Sequence, residues 1–127
     1  MPVLEEATFR YIGFDPAISC GFSVIQLNSS LEILSIDVGV IDVSEATKDA
    51  HRCLLLQEQL IPLLSPTPDH AFIEPFFGHG RPNEAISYKL RAIIEMQLAA
   101  HNVDYSEVKP QTVRCCDSNP VLFESPR

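Results

Sequence analysis

The chain has 127 residues, 46% of them hydrophobic, and a formal net charge of −8. That length suits one domain with a buried core, and the apolar content excludes a disordered chain. The acidic balance excludes broad polyanion binding, and no apolar run reaches the roughly 20 residues of a membrane span.

The opening residues, MPVLEEATFR, lack the basic-then-apolar pattern of a secretory leader, so an intracellular protein is expected. Tyr11–Asp15 and Phe22–Leu27 are rich in β-branched and aromatic residues and predict two strands. Asn28, Ser29 and Ser30 mark a turn. Leu31–Asp42 alternates, with Leu31, Ile33, Ser35 and Asp37 on one face and Glu32, Leu34, Ile36, Val38 and Val40 largely on the other. It predicts a third strand and an antiparallel meander. From Ala46 to Leu64 the period becomes helical, with Leu54, Leu56, Leu60, Ile61 and Leu64 as its stripe and Ser44 as the N-cap. Pro62 is expected to bend or shorten that helix, and Pro66 and Pro68 to end it.

His70–Glu74, HAFIE, predicts a short strand, and PFFGHGRP a loop. Asn83 then caps a helix over Glu84–His101 whose apolar face holds Ile86, Leu90, Ile93, Ile94, Gln97 and Leu98. Val103–Val108 predicts a fifth strand, and residues 115–127 read as loop or disordered tail. The order β-β-β-α-β-α-β predicts an α/β fold. Its mixed five-stranded sheet has three antiparallel strands, then α-β-α-β, with helices on its faces.

Cys20, Cys53, Cys115 and Cys116 form no CxxC pair and have no histidine at zinc-like spacing, so neither a disulfide framework nor a zinc site is expected. Charge is uneven. Residues 1–80 carry eleven acidic and three basic side chains, whereas residues 81–114 carry four acidic and five basic ones: Arg81, Lys89, Arg91, Lys109 and Arg114. Any nucleic-acid contact is expected there.

Asp15 and Glu74 share one local pattern: an apolar strand, an acid, then proline. Each is a turn residue on the plainest reading. On the other, two neighbouring strand ends bring both carboxylates into one pocket, where hard divalent cations take such oxygens and keep open positions for water and phosphate. Two such ions about 3.5–4 Å apart serve phosphodiester hydrolysis.

YIGFDPAISCGFSVI resembles the first motif of the RuvC-like Holliday junction resolvases, and PDHAFIEPFFGHGRPNEAISYKLRAIIEMQLAAHNVDYSEVKP resembles their second block. The resemblance covers about residues 10–114 and implies an RNase H-like fold. It also implies a metal-dependent endonuclease that resolves four-way DNA junctions as a homodimer, with Mg²⁺, or Mn²⁺, as cofactor. Asp15 and Glu74 match the family's catalytic, metal-binding acids. Phe77 matches an aromatic residue at the junction, and Lys109 a basic residue near the DNA backbone. Arg81 joins them as a DNA-binding candidate. The helix Glu84–His101 matches the family's dimerisation helix, whose outer side here carries Tyr88 and Ala92.

The bland readings are that Phe76 and Phe77 cover the sheet end, that Arg81 and His79 are solvated, and that the Ile86–Leu98 stripe is core. The family also has two further acids, spaced Asp-x-x-Asp on a C-terminal helix, and a glycine-and-lysine stretch after the fifth strand. Neither pattern occurs in RCCDSNPVLFESPR, where Asp117 and Glu124 have the wrong spacing. Inherited resolvase architecture is therefore expected, with a non-catalytic or truncated RNase H-like DNA-binding or dimerisation module as the rival. A nucleotide-binding relative of the actin or hexokinase type would need a second lobe and glycine-rich phosphate loops, for which 127 residues leave no room.

Overall fold

The computed structural model describes residues 7–75 and 84–108. Its elements run β1 (Thr8–Asp15), β2 (Ser19–Asn28), β3 (Ile33–Asp42), α1 (Asp49–Leu63), β4 (His70–Ile73), α2 (Glu84–Ala100) and β5 (Tyr105–Glu107). The strands form one mixed sheet in the order β3-β2-β1-β4-β5. β1 and β2 pair antiparallel, as do β2 and β3, whereas β4 lies parallel to both β1 and β5. The expected element order and mixed five-stranded sheet are observed.

Both helices pack on one face of this sheet. Ile12 and Phe14 of β1, Cys20 and Val24 of β2, and Ala71 and Ile73 of β4 are buried there with Leu56, Leu60 and Leu64 and with Ile86, Leu90, Ile94 and Leu98. Burying a large aliphatic side chain contributes about 1.5–3 kcal/mol, so this cluster fixes which side of each strand faces inward. The opposite face carries Tyr11, Gly13, Asp15, Ser23, Ile25, Phe72 and Glu74, and no described helix covers it. The more apolar side of β3 also lies there: Ile36, Val38 and Val40 pair with Ile25, Ser23 and Gly21.

α1 departs from expectation in three places. It begins at Asp49, with Lys48 as an N-cap that makes no side-chain bond. Ser44 instead belongs to the turn leaving β3, where its N–H donates to Asp42 Oδ1 at 2.8 Å. The buried stripe is Leu56, Leu60 and Leu64, spaced by four, while Leu54 and Ile61 fall off it and stay exposed. Pro62 sits inside the last turn and the helix stops at Leu63. There the Arg10 guanidinium donates to the Leu63 carbonyl at 2.7 Å, tying the helix end to β1.

α2 ends as its sequence allows. Asn102 adopts φ 57°, the left-handed region asparagine tolerates. The Val103 N–H bonds to the Leu98 carbonyl at 2.8 Å and the Asn102 N–H to that of Ala99 at 3.1 Å, which is a Schellman closure. Buried Val103 then directs the chain into β5, whose paired residues are fewer than the predicted Val103–Val108. The predicted cap Asn83 lies outside the described residues.

One glycine is sterically required. Gly39 pairs with Phe22, and a Cβ at Gly39 would come within 2.6 Å of the Phe22 ring. Gly39→Ala is expected to destabilise the protein by about 1–3 kcal/mol in urea unfolding. Gly21→Ala, with its nearest contact at 3.9 Å, is expected to be close to neutral.

Candidate active site

The parallel pairing of β1 and β4 generates the site. Their register sets Phe14 beside Ile73, and the Glu74 N–H donates to the Phe14 carbonyl at 2.9 Å. The next residue of β1 and the residue closing β4 are therefore Asp15 and Glu74, at neighbouring carboxyl ends of two parallel strands. Such ends are where open α/β sheets form clefts. Side chains alternate across a strand, so with Phe14 and Ile73 buried both acids take the helix-free face.

They line one cleft of about 340 Å³ with Gly13, Gly21, Ser23 and Phe72. Gly21 pairs with Asp15 and Gly13 with Ser23, so the floor beside the acids is made of small residues. At Gly13 a Cβ would make a tight contact, 3.2 Å from Ser23 Oγ. Phe72, two residues before Glu74 on the same face, forms a wall, and Val108 lines the cleft as the chain leaves β5.

Desolvation raises the pKa of Asp15 above the ordinary aspartate value. Glu74 is raised as well, first by desolvation and then by the charge of Asp15. Cys20, behind Asp15, is pushed up to about 12, chiefly by burial and next by the charge of Asp15. It is a neutral thiol at physiological pH and no nucleophile.

Two carboxylates with no cation between them repel, and the described residues supply no basic side chain to the cleft. Their oxygen donors fit a hard divalent ion that keeps water in its other positions. Among the described residues no third His, Cys, Asp or Glu joins them to make a cluster of three.

The structure thus brings Asp15 and Glu74 together. Phe77, Arg81 and Lys109 lie outside the described residues. Tyr88 and Ala92 sit four apart on the exposed side of α2. Of the basic residues in the 81–114 stretch, Lys89 pairs with Asp49 at 2.8 Å and Arg91 with Glu107 at 2.7 Å. Their charge is largely balanced, and Arg81, Lys109 and Arg114 lie outside the described residues. Sequence reasoning missed Gly13, Gly21, Ser23 and Phe72. The period-two positions before each acid were the available signal for Gly13 and Phe72.

No protein-family model matches the chain. It is 29% identical over 107 residues to the crossover junction endodeoxyribonuclease RuvC of Brachyspira hyodysenteriae, covering 81% of this chain and 66% of that protein. It is 27% identical over 107 residues to the crossover junction endodeoxyribonuclease RuvC of Gloeobacter violaceus, covering 83% of this chain and 62% of that one. The chain therefore spans somewhat less than two thirds of the length of these curated relatives. The structure of Thermus thermophilus RuvC in complex with Holliday junction substrate matches with a TM-score of 0.67 at 14% identity, over 84% of this chain and 69% of that chain.

Sheet order and helix placement define a mixed α/β fold, shared with the Thermus thermophilus RuvC structure. In sequence the chain is similar to these two curated RuvC proteins over most of its own length. No described helix is long and apolar enough to cross a membrane.

The raised carboxyls fix the sign of a pH effect. A carboxyl whose pKa is higher folded than unfolded holds its proton more tightly in the folded state, so stability falls as pH rises through that window. Metal-free Asp15→Asn is expected to melt at a higher temperature than wild type at pH 7. The difference should vanish as pH drops below the ordinary carboxylate range, measured by thermal unfolding with a chelator.

Proposed function

We propose that this chain is the catalytic core of a RuvC-like endonuclease that cleaves branched DNA, four-way junctions in particular, by phosphodiester hydrolysis. The observation carrying this reading is the cleft in which Asp15 and Glu74 meet at the ends of β1 and β4. Asp15 and Glu74 would hold Mg²⁺, or Mn²⁺, through their carboxylate oxygens. When bound, the metal supplies an activated water and offsets charge on the leaving oxygen.

The chain's own residues do the rest. A bound cation would favour the charged forms of Asp15 and Glu74, whose pKa values the cleft raises. Gly13 and Gly21 leave room for a phosphate beside the acids, and Phe72 shields one side of the cleft from water. Phe77, Arg81 and Lys109 are proposed DNA contacts, on the strength of the motif resemblance. A homodimer through the α2 face bearing Tyr88 and Ala92 would present two clefts to a two-fold symmetric junction.

One observation favours a second reading. Two acids among the described residues are a sparse donor set for two ions. On that reading the chain binds or dimerises without cutting.

Cleavage of a labelled four-way junction in Mg²⁺ separates them. Asp15→Asn and Glu74→Gln are each expected to lose at least about a hundredfold in rate, as when transition-state charge loses its support. Equal cleavage by wild type and Asp15→Asn contradicts the catalytic assignment. Junction binding by wild type with no cleavage supports the second reading.

A further inference from the structure

The cleft that holds Asp15 and Glu74 contains a row of three residues running across the sheet. Gly13 of β1 pairs with Ser23 of β2 on one side and with Phe72 of β4 on the other. All three take the helix-free face, because their neighbours Ile12, Phe14, Val24, Ala71 and Ile73 are buried on the opposite one. Gly13 has no side chain, so the row is a notch with a hydroxyl at one wall and an aromatic ring at the other. A Cβ on Gly13 would lie 3.2 Å from Ser23 Oγ, which places that hydroxyl over the glycine and inside the notch.

Ser23 carries the only side-chain hydroxyl among the described residues lining the cleft, and no amide, imidazole, ammonium or guanidinium joins it there. The backbone is no substitute. β1 and β2 are interior strands of the order β3-β2-β1-β4-β5, so their N–H groups are engaged in ladders with neighbours on both sides. Beyond the notch a second hollow, lined by Tyr11, Ile25, Leu27 and Phe72, is apolar. An oxygen-rich group placed beside the acids therefore finds its neutral hydrogen-bond donor at Ser23.

We propose that Ser23 is a substrate-binding residue: its hydroxyl donates a hydrogen bond to a non-bridging phosphate oxygen of the DNA strand lying in the cleft. This rests on the nuclease reading above. Ionised carboxylates accept hydrogen bonds and donate none, so Asp15 and Glu74 offer a phosphate oxygen no partner of their own. An oxygen that leaves water for the notch without a partner is costly. Ser23 supplies that partner. A plainer role, in which the hydroxyl only steadies Asp15, would show in the carboxylates themselves rather than in DNA binding alone.

The test is binding of a fluorescent four-way junction, followed by anisotropy in Ca²⁺, which takes oxygen ligands of the same kind as Mg²⁺. Ser23→Ala, with its fold intact by circular dichroism, is expected to bind about tenfold more weakly than wild type, as when a hydrogen bond to a charged group is lost. The response of the Asp15 and Glu74 carboxyl signals to Mg²⁺ should match wild type. Equal affinities overturn the proposal, and so does a Ser23→Ala protein whose response to Mg²⁺ is weakened. Cleavage in Mg²⁺ separates this contact from the nuclease reading. A wild type that cuts, with Ser23→Ala binding equally well, overturns the contact alone. A tenfold loss of binding in a protein that does not cut supports the contact and removes the catalysis. A wild type without affinity for the junction overturns both.

Discussion

The register between β1 and β4 is the constraint on which the rest of the molecule depends. With Phe14 beside Ile73, one face of the strand pair supplies Ile12, Phe14, Ala71 and Ile73 to the core, and the other ends in Asp15 and Glu74. A slip by one residue in either strand would turn apolar side chains outward and acids inward. The acids are therefore held by the same packing that stabilises the fold. Desolvation displaces both carboxyls upward in the cleft, and the charge of Asp15 displaces Glu74 further. A divalent ion between them would offset that cost, so sheet register would set the metal affinity of the cleft.

The remaining elements brace that pair. α1 and α2 cover only the core face, so no described helix lies over the carboxylates. Arg10 anchors the end of α1 to β1, next to the Asp69 carboxylate that accepts the Arg10 N–H at 2.7 Å. At the other side of the sheet Arg91 joins α2 to Glu107, and the Tyr105 hydroxyl donates to Glu95. These exposed pairs contribute little energy each, but they set the helix against β5, beside β4 and the cleft.

Much of this was legible in the chain. Local apolar runs with period two gave the strands, and HAFIE ended where β4 and its acid do. The run Ile86, Leu90, Ile94, Leu98 has a spacing that only a helix buries on one side. What the sequence could not convey was non-local. Parallel pairing between residues 11–14 and 70–73 leaves no local trace, and it turns two separate Asp-Pro and Glu-Pro turns into one cleft. The stripe of α1 was read too widely because Leu54 and Ile61 are as apolar as Leu56 and Leu60, and only packing tells them apart. Ser44 resembled a cap because serine serves turns and helix starts by the same hydrogen-bonding chemistry. The open face was equally hidden, since alternation shows that a strand has two sides without showing which one a helix covers.

The most direct test of the shared site is to follow the side-chain carboxyl signals of Asp15 and Glu74 by carbon-13 NMR through a pH titration. Both are expected to titrate above their ordinary values without metal, Glu74 to fall when Asp15 is replaced by asparagine, and Mg²⁺ to lower both in wild type. A Glu74 that titrates identically with and without the Asp15 charge, and is indifferent to Mg²⁺, would contradict a shared site.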